Sequence, residues 1–148
     1  MSNPICFVDL DGVVNNHEWS YRGHRASIDP ALMERLNRIL VETDAKVVIS
    51  SSWRHIIHKG EMTPAGFDFM LATHGMVGGR VIGCTPRAFD ITDRGWEIES
   101  WLEDNGRPER YVVIDDMDLS HMHPAVVVDG TKGLTDEDVE RAILILNR

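Results

Sequence analysis

Short apolar runs alternate along this chain with longer segments in which apolar residues recur every three or four positions. Five runs stand out, at residues 5–8, 45–49, 79–83, 111–114 and 125–128. Continuous apolar runs of this length are typical of strands that are buried on both faces of a sheet. The pattern therefore predicts five buried strands.

Four amphipathic segments follow these strands or lie between them, and each has a helix-start signal. Asp29 and Thr63 each precede a proline, which places an N-cap acceptor before the residue favoured at the first helical position. Asp93 can cap a helix over 94–105, and Thr135 precedes a run of acids that suits a helix N-terminus. The alternation predicts an α/β fold, a doubly wound three-layer sandwich with a central, mainly parallel five-stranded sheet.

The composition is that of an ordinary globular protein. The 148 residues are 43% hydrophobic and 26% charged, which predicts one domain over 1–148 with a real core. The formal net charge of −9 argues against strong nonspecific binding of nucleic acid, since phosphate contacts need Lys and Arg. A local basic pocket stays compatible with that charge.

Cysteine usage and the N-terminus bear on the compartment. Cys6 and Cys84 form neither a metal motif nor a disulfide framework, which favours a reduced, cytoplasmic setting. The N-terminus lacks a basic start, and acids interrupt its apolar run, so no signal peptide is expected. No apolar stretch approaches the length of a membrane span, so no membrane partner is expected.

Two carboxylates follow the first strand. Asp9 and Asp11 are two positions apart, so an extended chain would point both to the same side. Like charges this close favour a bound cation or a shared proton. Asp and Gly are also common turn residues, so this stretch alone leaves a plain turn and a chemical site equally open.

The ends of two further strands favour the chemical site. Ser50 and Ser51 follow the second strand, and Asp115 and Asp116 follow the fourth. In a parallel sheet these ends share one edge, where such folds bind their ligands. A turn explains any one of these groups but not their convergence.

With these motifs the chain resembles the haloacid dehalogenase (HAD) superfamily, and within it the phosphatases of a short, capless group that includes nucleic-acid end-repair domains. The resemblance covers most of the chain. It is carried, in the order of the family, by Asp9-Leu10-Asp11-Gly12-Val13, by Val48-Ile49-Ser50-Ser51-Ser52-Trp53-Arg54, by Arg94-Gly95-Trp96-Glu97-Ile98 and by Val113-Ile114-Asp115-Asp116.

The resemblance implies a Mg²⁺-dependent phosphomonoesterase. Asp9 would be the nucleophile that forms an aspartyl-phosphate. Asp11 would be the general acid and then the general base. Mg²⁺ would be held by Asp9, the backbone carbonyl of Asp11, Asp115 and Asp116, an all-oxygen set of the kind this ion prefers.

The resemblance also implies phosphate-binding residues. Ser50 would bind the phosphoryl oxygens, with Ser51 as the alternative because the end of the strand is uncertain by a residue. A helix beginning soon afterwards would add a favourable dipole. The family usually has a Lys between its second and fourth motifs. Here the matching position carries Arg94, which can also neutralise phosphate, and Lys132 is the weaker candidate.

The substrate class follows from the absence of a predicted cap domain. A capless site is open, so large substrates such as nucleic-acid ends or phosphoproteins can reach it. The acidic net charge leaves room for nucleotides. We expect a phosphorylated small molecule or a nucleic-acid end as the substrate. Trp19 and Tyr21 lie in a loop that could stack a base, and Arg54 could contact a phosphate or form a surface ion pair. We interpret four histidines and two tryptophans as structural or packing residues: His17, His24, His121, His123, Trp53 and Trp101. His17 and His24 are also candidate substrate contacts.

Two other functions compete with the phosphatase. A non-catalytic module that binds metal and phosphate would not need an intact Asp9 and Asp11. A dehalogenase would need neither a second acid nor a metal, so the acid cluster counts against it.

Overall fold

The computed structural model describes residues 3–15, 28–50, 55–86 and 94–148. Within them the chain forms a five-stranded sheet in which every pairing is parallel. The fold predicted from the sequence is thereby confirmed. The strands are β1 (Ile5–Val8), β2 (Lys46–Ile49), β3 (Val81–Cys84), β4 (Tyr111–Asp115) and β5 (Ala125–Val127).

The strand order is β3-β2-β1-β4-β5. The chain moves outward from β1 through β2 to β3 and then returns to the other side of β1 with β4. Carboxyl ends on the two sides of such a reversal border a crevice, which is where open α/β sheets bind ligands. Here the reversal lies between β1 and β4, so it borders Asp9 and Asp115.

Helices cover both faces of the sheet. They are α1 (Pro30–Thr43), the single-turn α2 (His55–His58), α3 (Pro64–Thr73), α4 (Arg94–Asp104) and α5 (Asp136–Leu146). On one face Val8, Ile49 and Ile114 pack with residues of α1, α3 and α5. On the other face Phe7 and Val113 pack with α4. Both faces of the central strands are therefore buried, which explains their continuous apolar sequences.

Three of the four predicted helix caps form, and the fourth, Asp93, lies outside the described residues. The Asp29 side chain accepts a hydrogen bond from the Ala31 amide, and Thr63 accepts one from the Gly66 amide. Thr135 and Asp138 cap each other's backbone amides in a capping box. These bonds satisfy amides that a helix leaves without internal partners, so the sequence determines where these three helices begin.

The third strand differs from its prediction. It spans Val81–Cys84 rather than 79–83, because Gly79 has a φ of +76° and lies in a turn. The Asp68 carboxylate accepts hydrogen bonds from the Gly79, Arg80 and Val81 amides at 2.8 Å each. A side chain of α3 thus fixes the start of β3, a long-range contact that the local pattern did not reveal.

The described residues contain no separate cap domain beside the sheet. No helix among them is long and apolar enough to cross a membrane. The loop predicted at 15–28 falls almost wholly outside the described residues.

Candidate active site

Three strand ends meet beside Asp9. The Asp9 amide donates to the Ile114 carbonyl at 3.0 Å, and the Ser50 amide donates to the Val8 carbonyl at 3.1 Å. Asp9 therefore continues the β1 ladder between the ends of β2 and β4. Backbone pairing alone brings together residues that are far apart in the sequence.

Asp9, Asp115 and Asp116 form a carboxylate cluster. One oxygen of each lies within 4.8 Å of the others. Asp9 is 4% exposed and Asp115 is 1% exposed, whereas Asp116 is exposed. Two of the three carboxylates are thus largely removed from water, where unpaired negative charge is costly.

The burial of these acids perturbs their ionisation. Burial raises the pKa of Asp9 to about 9, with a further contribution from Asp115 and partial relief from Arg94. Burial also raises the pKa of Asp115, against the opposing effect of Arg94. Burial by itself would lower the pKa of Arg94, but Asp115 and Asp9 outweigh it, and the net shift is upward. The cluster therefore favours a cation, and strongly perturbed acids in a crevice are a mark of functional sites.

Arg94 supplies one such cation from the first position of α4. Its Nη1 atom donates to both oxygens of Asp115 at 2.9 and 2.8 Å, and to Asp9 Oδ2 at 3.3 Å. The Arg94 side chain bridges the two buried acids and is itself 18% exposed, so part of it is accessible from solvent. Arg94 is thus adjacent to the predicted nucleophile, as a phosphate-neutralising residue must be.

Two glycines make room for Asp116. A Cβ at Gly12 would lie 2.6 Å from Asp116 Oδ2, and a Cβ at Gly130 would lie 2.9 Å from it. Gly12 also has a φ of +85°, which favours glycine. Gly130 belongs to the loop after β5, which was not among the predicted site segments. The Asp129-Gly130 pair after a predicted strand is the sequence feature that could have indicated this role.

Asn15 orients Asp11, a role that no local pattern in the sequence indicates. The Asn15 side chain accepts from the Gly12 amide at 2.9 Å and donates to Asp11 Oδ1 at 3.1 Å. Asn15 is 4% exposed, whereas Asp11 is exposed. A buried amide thus holds the turn that presents the Asp11 carboxylate, and the side chain of Asp11 lies outside the carboxylate cluster. The predicted metal contact of Asp11 was through its backbone carbonyl and stays a prediction.

Ser50 has a buried hydroxyl at the same edge. Its Oγ atom is inaccessible and has no hydrogen-bond partner among the described residues. A buried hydroxyl without a partner is costly, so this atom suits a ligand oxygen. The alternative candidate, Ser51, lies outside the described residues, so the choice between the two serines stays a prediction.

The remaining candidates form three groups: residues that pack in the fold, exposed residues and residues outside the described part of the chain. His123 is buried and bonded to Tyr111 and Gly95, and Trp101 packs edge-on against Phe7 with ring centroids 5.3 Å apart. His121 is exposed, and Lys132 is exposed in the loop after β5. Six of the named side chains lie outside the described residues: His17, Trp19, Tyr21, His24, Trp53 and Arg54. The predicted helix soon after Ser50 is only the single turn α2.

The residues of the cluster fit a divalent cation. They offer carboxylate oxygens from three side chains, two of them buried, and the crevice is shaped around the third by Gly12 and Gly130. Oxygen ligands of this kind suit Mg²⁺ and related hard ions. Asp9, Asp115 and Asp116 would hold such an ion.

A parallel α/β sheet that places an Asp cluster at the switch point between β1 and β4 defines a HAD-like domain. A family profile described as the HAD domain in Swiss Army Knife RNA repair proteins matches residues 5–139. The chain belongs to this family, which supports an enzyme of the hydrolase or phosphatase type. Searches of curated proteins and of solved structures return no match.

Proposed function

We propose that the protein is a metal-dependent phosphomonoesterase that acts through an aspartyl-phosphate on Asp9. One observation carries the proposal. The Asp9 carboxylate lies beside those of Asp115 and Asp116, next to the Arg94 guanidinium and the end of β2, where the buried Ser50 hydroxyl has no partner among the described residues. This combination supplies a nucleophile, a cation for phosphoryl charge and a hydrogen-bond donor.

The reaction would take two displacements. Asp9 attacks phosphorus, an O–P bond forms, and the bond to the leaving oxygen breaks as Asp11 gives that oxygen a proton. A water molecule then attacks the phosphorus, Asp11 accepts its proton, and Asp9 and phosphate are released. Asn15 keeps Asp11 oriented for both transfers.

Charge stabilisation would come from three sources. A divalent ion at Asp9, Asp115 and Asp116 would offset the mutual repulsion of these acids and keep Asp9 ionised. Arg94 would pair with the equatorial phosphoryl oxygens, to which a guanidinium can donate two parallel hydrogen bonds. The Ser50 hydroxyl would donate a further hydrogen bond.

We further propose that the substrate is a phosphate at the end of an RNA strand. The family description concerns RNA repair proteins, and the described residues contain no cap domain that would exclude a polymer. The net charge of −9 disfavours binding along a long stretch of nucleic acid. Recognition would therefore be confined to the terminal phosphate and the nucleotides beside it.

Hydrolysis of an aryl phosphate by the purified protein tests the reaction. We expect turnover with Mg²⁺, loss of turnover with chelator, and loss in Asp9→Asn. Asp118→Asn is a matched control, because Asp118 is an exposed acid that bonds Ser120 in a turn after the cluster. Equal activity of the two variants, or turnover that chelator leaves intact, would contradict the proposal.

A panel of phosphorylated ends tests the substrate. It compares RNA and DNA oligonucleotides with 3′- or 5′-phosphates, and mononucleotides. The proposal predicts the highest kcat/KM for one of the RNA ends. If a mononucleotide is hydrolysed with a kcat/KM equal to that of every oligonucleotide, the assignment to RNA ends is refuted, whereas the reaction type stands.

A further inference from the structure

Arg94 uses the same carboxylate oxygens that a metal ion would need. Its Nη1 atom lies 2.8 and 2.9 Å from the Asp115 oxygens and 3.3 Å from Asp9 Oδ2. One Asp115 oxygen also accepts the Met117 amide at 2.8 Å. The two buried acids of the cluster, Asp9 and Asp115, therefore share one hydrogen-bond donor of a positively charged group.

A metal ion and this guanidinium repel each other in the same crevice. An ion such as Mg²⁺ approaches carboxylate oxygens to about 2.0–2.1 Å and requires near-octahedral geometry. Like charges within a few ångströms interact strongly where burial keeps water away. Metal binding to Asp9 and Asp115 therefore requires the guanidinium to move away from them.

The backbone of Arg94 is held in place, so this movement is confined to the side chain. His123 Nε2 donates to the Gly95 carbonyl at 2.9 Å, and His123 Nδ1 accepts from the Tyr111 hydroxyl at 3.0 Å. A Cβ at Gly95 would lie 2.6 Å from Met122 Sδ, so the first turn of α4 is tightly packed. We therefore expect the guanidinium to rotate away from the acids while α4 keeps its position.

We propose that Arg94 exchanges between two partners, the acid cluster in the free protein and the substrate phosphate when metal is bound. The exchange rests on the proposed function, since it takes Asp9, Asp115 and Asp116 as metal ligands. Arg94 then competes with the metal until a phosphate group accepts its charge. Metal and phosphate consequently bind with positive coupling, and the protein holds metal weakly without substrate.

Binding of Mn²⁺ in the absence of phosphate separates this role from a purely phosphate-binding one. Free Mn²⁺ is measured by electron paramagnetic resonance at pH 8, where protons compete less for the acids. Removing the competing cation in Arg94→Gln should tighten Mn²⁺ binding by roughly 5- to 150-fold, the usual range of coupling between ligands. Arg94→Lys keeps a positive charge and should remain near the wild type.

Arg80→Gln is the matched control. The Arg80 side chain is 17% exposed and pairs with Asp44, whereas that of Arg94 is 18% exposed and pairs with Asp115. Arg80 precedes the amino end of β3, at the sheet edge opposite the acid cluster. Its substitution changes the net charge equally and should leave Mn²⁺ affinity unchanged.

Parallel hydrolysis of an aryl phosphate by the wild type separates failure of this inference from failure of the proposed function. Turnover by the wild type, with Mn²⁺ affinity in Arg94→Gln equal to or below its own, overturns the exchange and leaves the phosphatase standing. Absence of turnover in the folded wild type, together with absence of Mn²⁺ binding in both the wild type and Arg94→Gln, overturns both. Tighter Mn²⁺ binding in Arg94→Gln, but not in Arg94→Lys or Arg80→Gln, supports the exchange.

A measurement on the wild type covers the case in which Arg94→Gln does not fold. The side-chain ¹⁵N–¹H signal of Arg94, assigned by comparison with Arg94→Lys, reports its hydrogen bonding. Saturating Mg²⁺ should broaden this signal through exchange with water, and added inorganic phosphate should restore it. A signal that Mg²⁺ leaves sharp overturns the exchange.

Discussion

Substitution of the glycines around Asp116 tests the geometry of the site with graded changes. Gly12→Ala combines two effects, because Gly12 has a φ of +85° and its Cβ would lie 2.6 Å from Asp116 Oδ2. Gly130→Ala adds only the close contact, at 2.9 Å and without a positive φ. Gly60→Ala adds only the strained backbone, since Gly60 has a φ of +71° and nothing lies within 4 Å of its Cβ.

The expected magnitudes follow from these differences. A left-handed conformation costs a non-glycine residue about 1–2 kcal/mol, so Gly60→Ala and Gly12→Ala should each lose that stability. For a domain of this size 1 kcal/mol corresponds to a Tm decrease of about 2–4 °C. Relief of the contacts at 2.6 and 2.9 Å requires Asp116 to shift by several tenths of an ångström. Displacements approaching ~1 Å can reduce activity about 10²-fold.

The assay measures Tm, Mn²⁺ affinity and aryl phosphate hydrolysis for the three variants. We expect Gly60→Ala to lose stability but keep activity, and Gly130→Ala to lose metal affinity and activity with less loss of stability. Gly12→Ala should lose all three. Wild-type metal affinity and activity in Gly130→Ala would refute the placement of Asp116 at the metal site.

Three further predictions concern stability. Because folding raises the pKa of Asp9 from 3.8 to about 9, this carboxyl ionises at a lower pH in the unfolded chain, and without metal the stability should fall as pH rises through this window. Asp9→Asn should therefore raise the Tm at pH 8 but not at pH 3.5, and no gain at pH 8 would contradict a costly buried carboxylate. His123→Ala removes the hydrogen bond between the imidazole and the Gly95 carbonyl and should cost about 0.5–1.5 kcal/mol in urea unfolding. It should also reduce kcat, and unchanged kinetics would show that this histidine does not position α4. Three backbone amides outweigh burial and lower the pKa of Asp68, so Asp68→Asn should destabilise the protein at pH 7, and less at pH 3, in chemical denaturation; an equal loss at both pH values would contradict stabilisation by the ionised carboxylate.

The fold was predictable because its main determinants are local. Continuous apolar runs identified the strands, and Asp29, Thr63 and Thr135 marked helix starts that the structure confirms. The helix predicted soon after Ser50 is only the single turn α2, and four residues carry no helical period from which this length could be predicted. The order of the strands was not predicted either, because it depends on which helix packs on which face.

The candidate site was predictable only in part. Asp9 and Ser50 follow β1 and β2, and Asp115 ends β4, so the parallel sheet had to bring them to one edge. The support for Asp11 by Asn15 and the room that Gly130 leaves for Asp116 depend on turn geometry and on contacts between distant loops. Local sequence patterns do not encode such contacts. The pairing of Arg94 with Asp9 and Asp115 likewise appears only once α4 is placed against the sheet.

The most direct test of the account is to trap the phosphorylated residue. The protein is mixed with phosphorylated substrate and Mg²⁺, quenched in acid, and treated with borohydride, which reduces an aspartyl-phosphate to homoserine. Mass spectrometry should locate the change at Asp9, and Asp9→Asn should show none. Turnover with no modification at Asp9, or with modification of another residue, would contradict the assignment of Asp9 as the nucleophile.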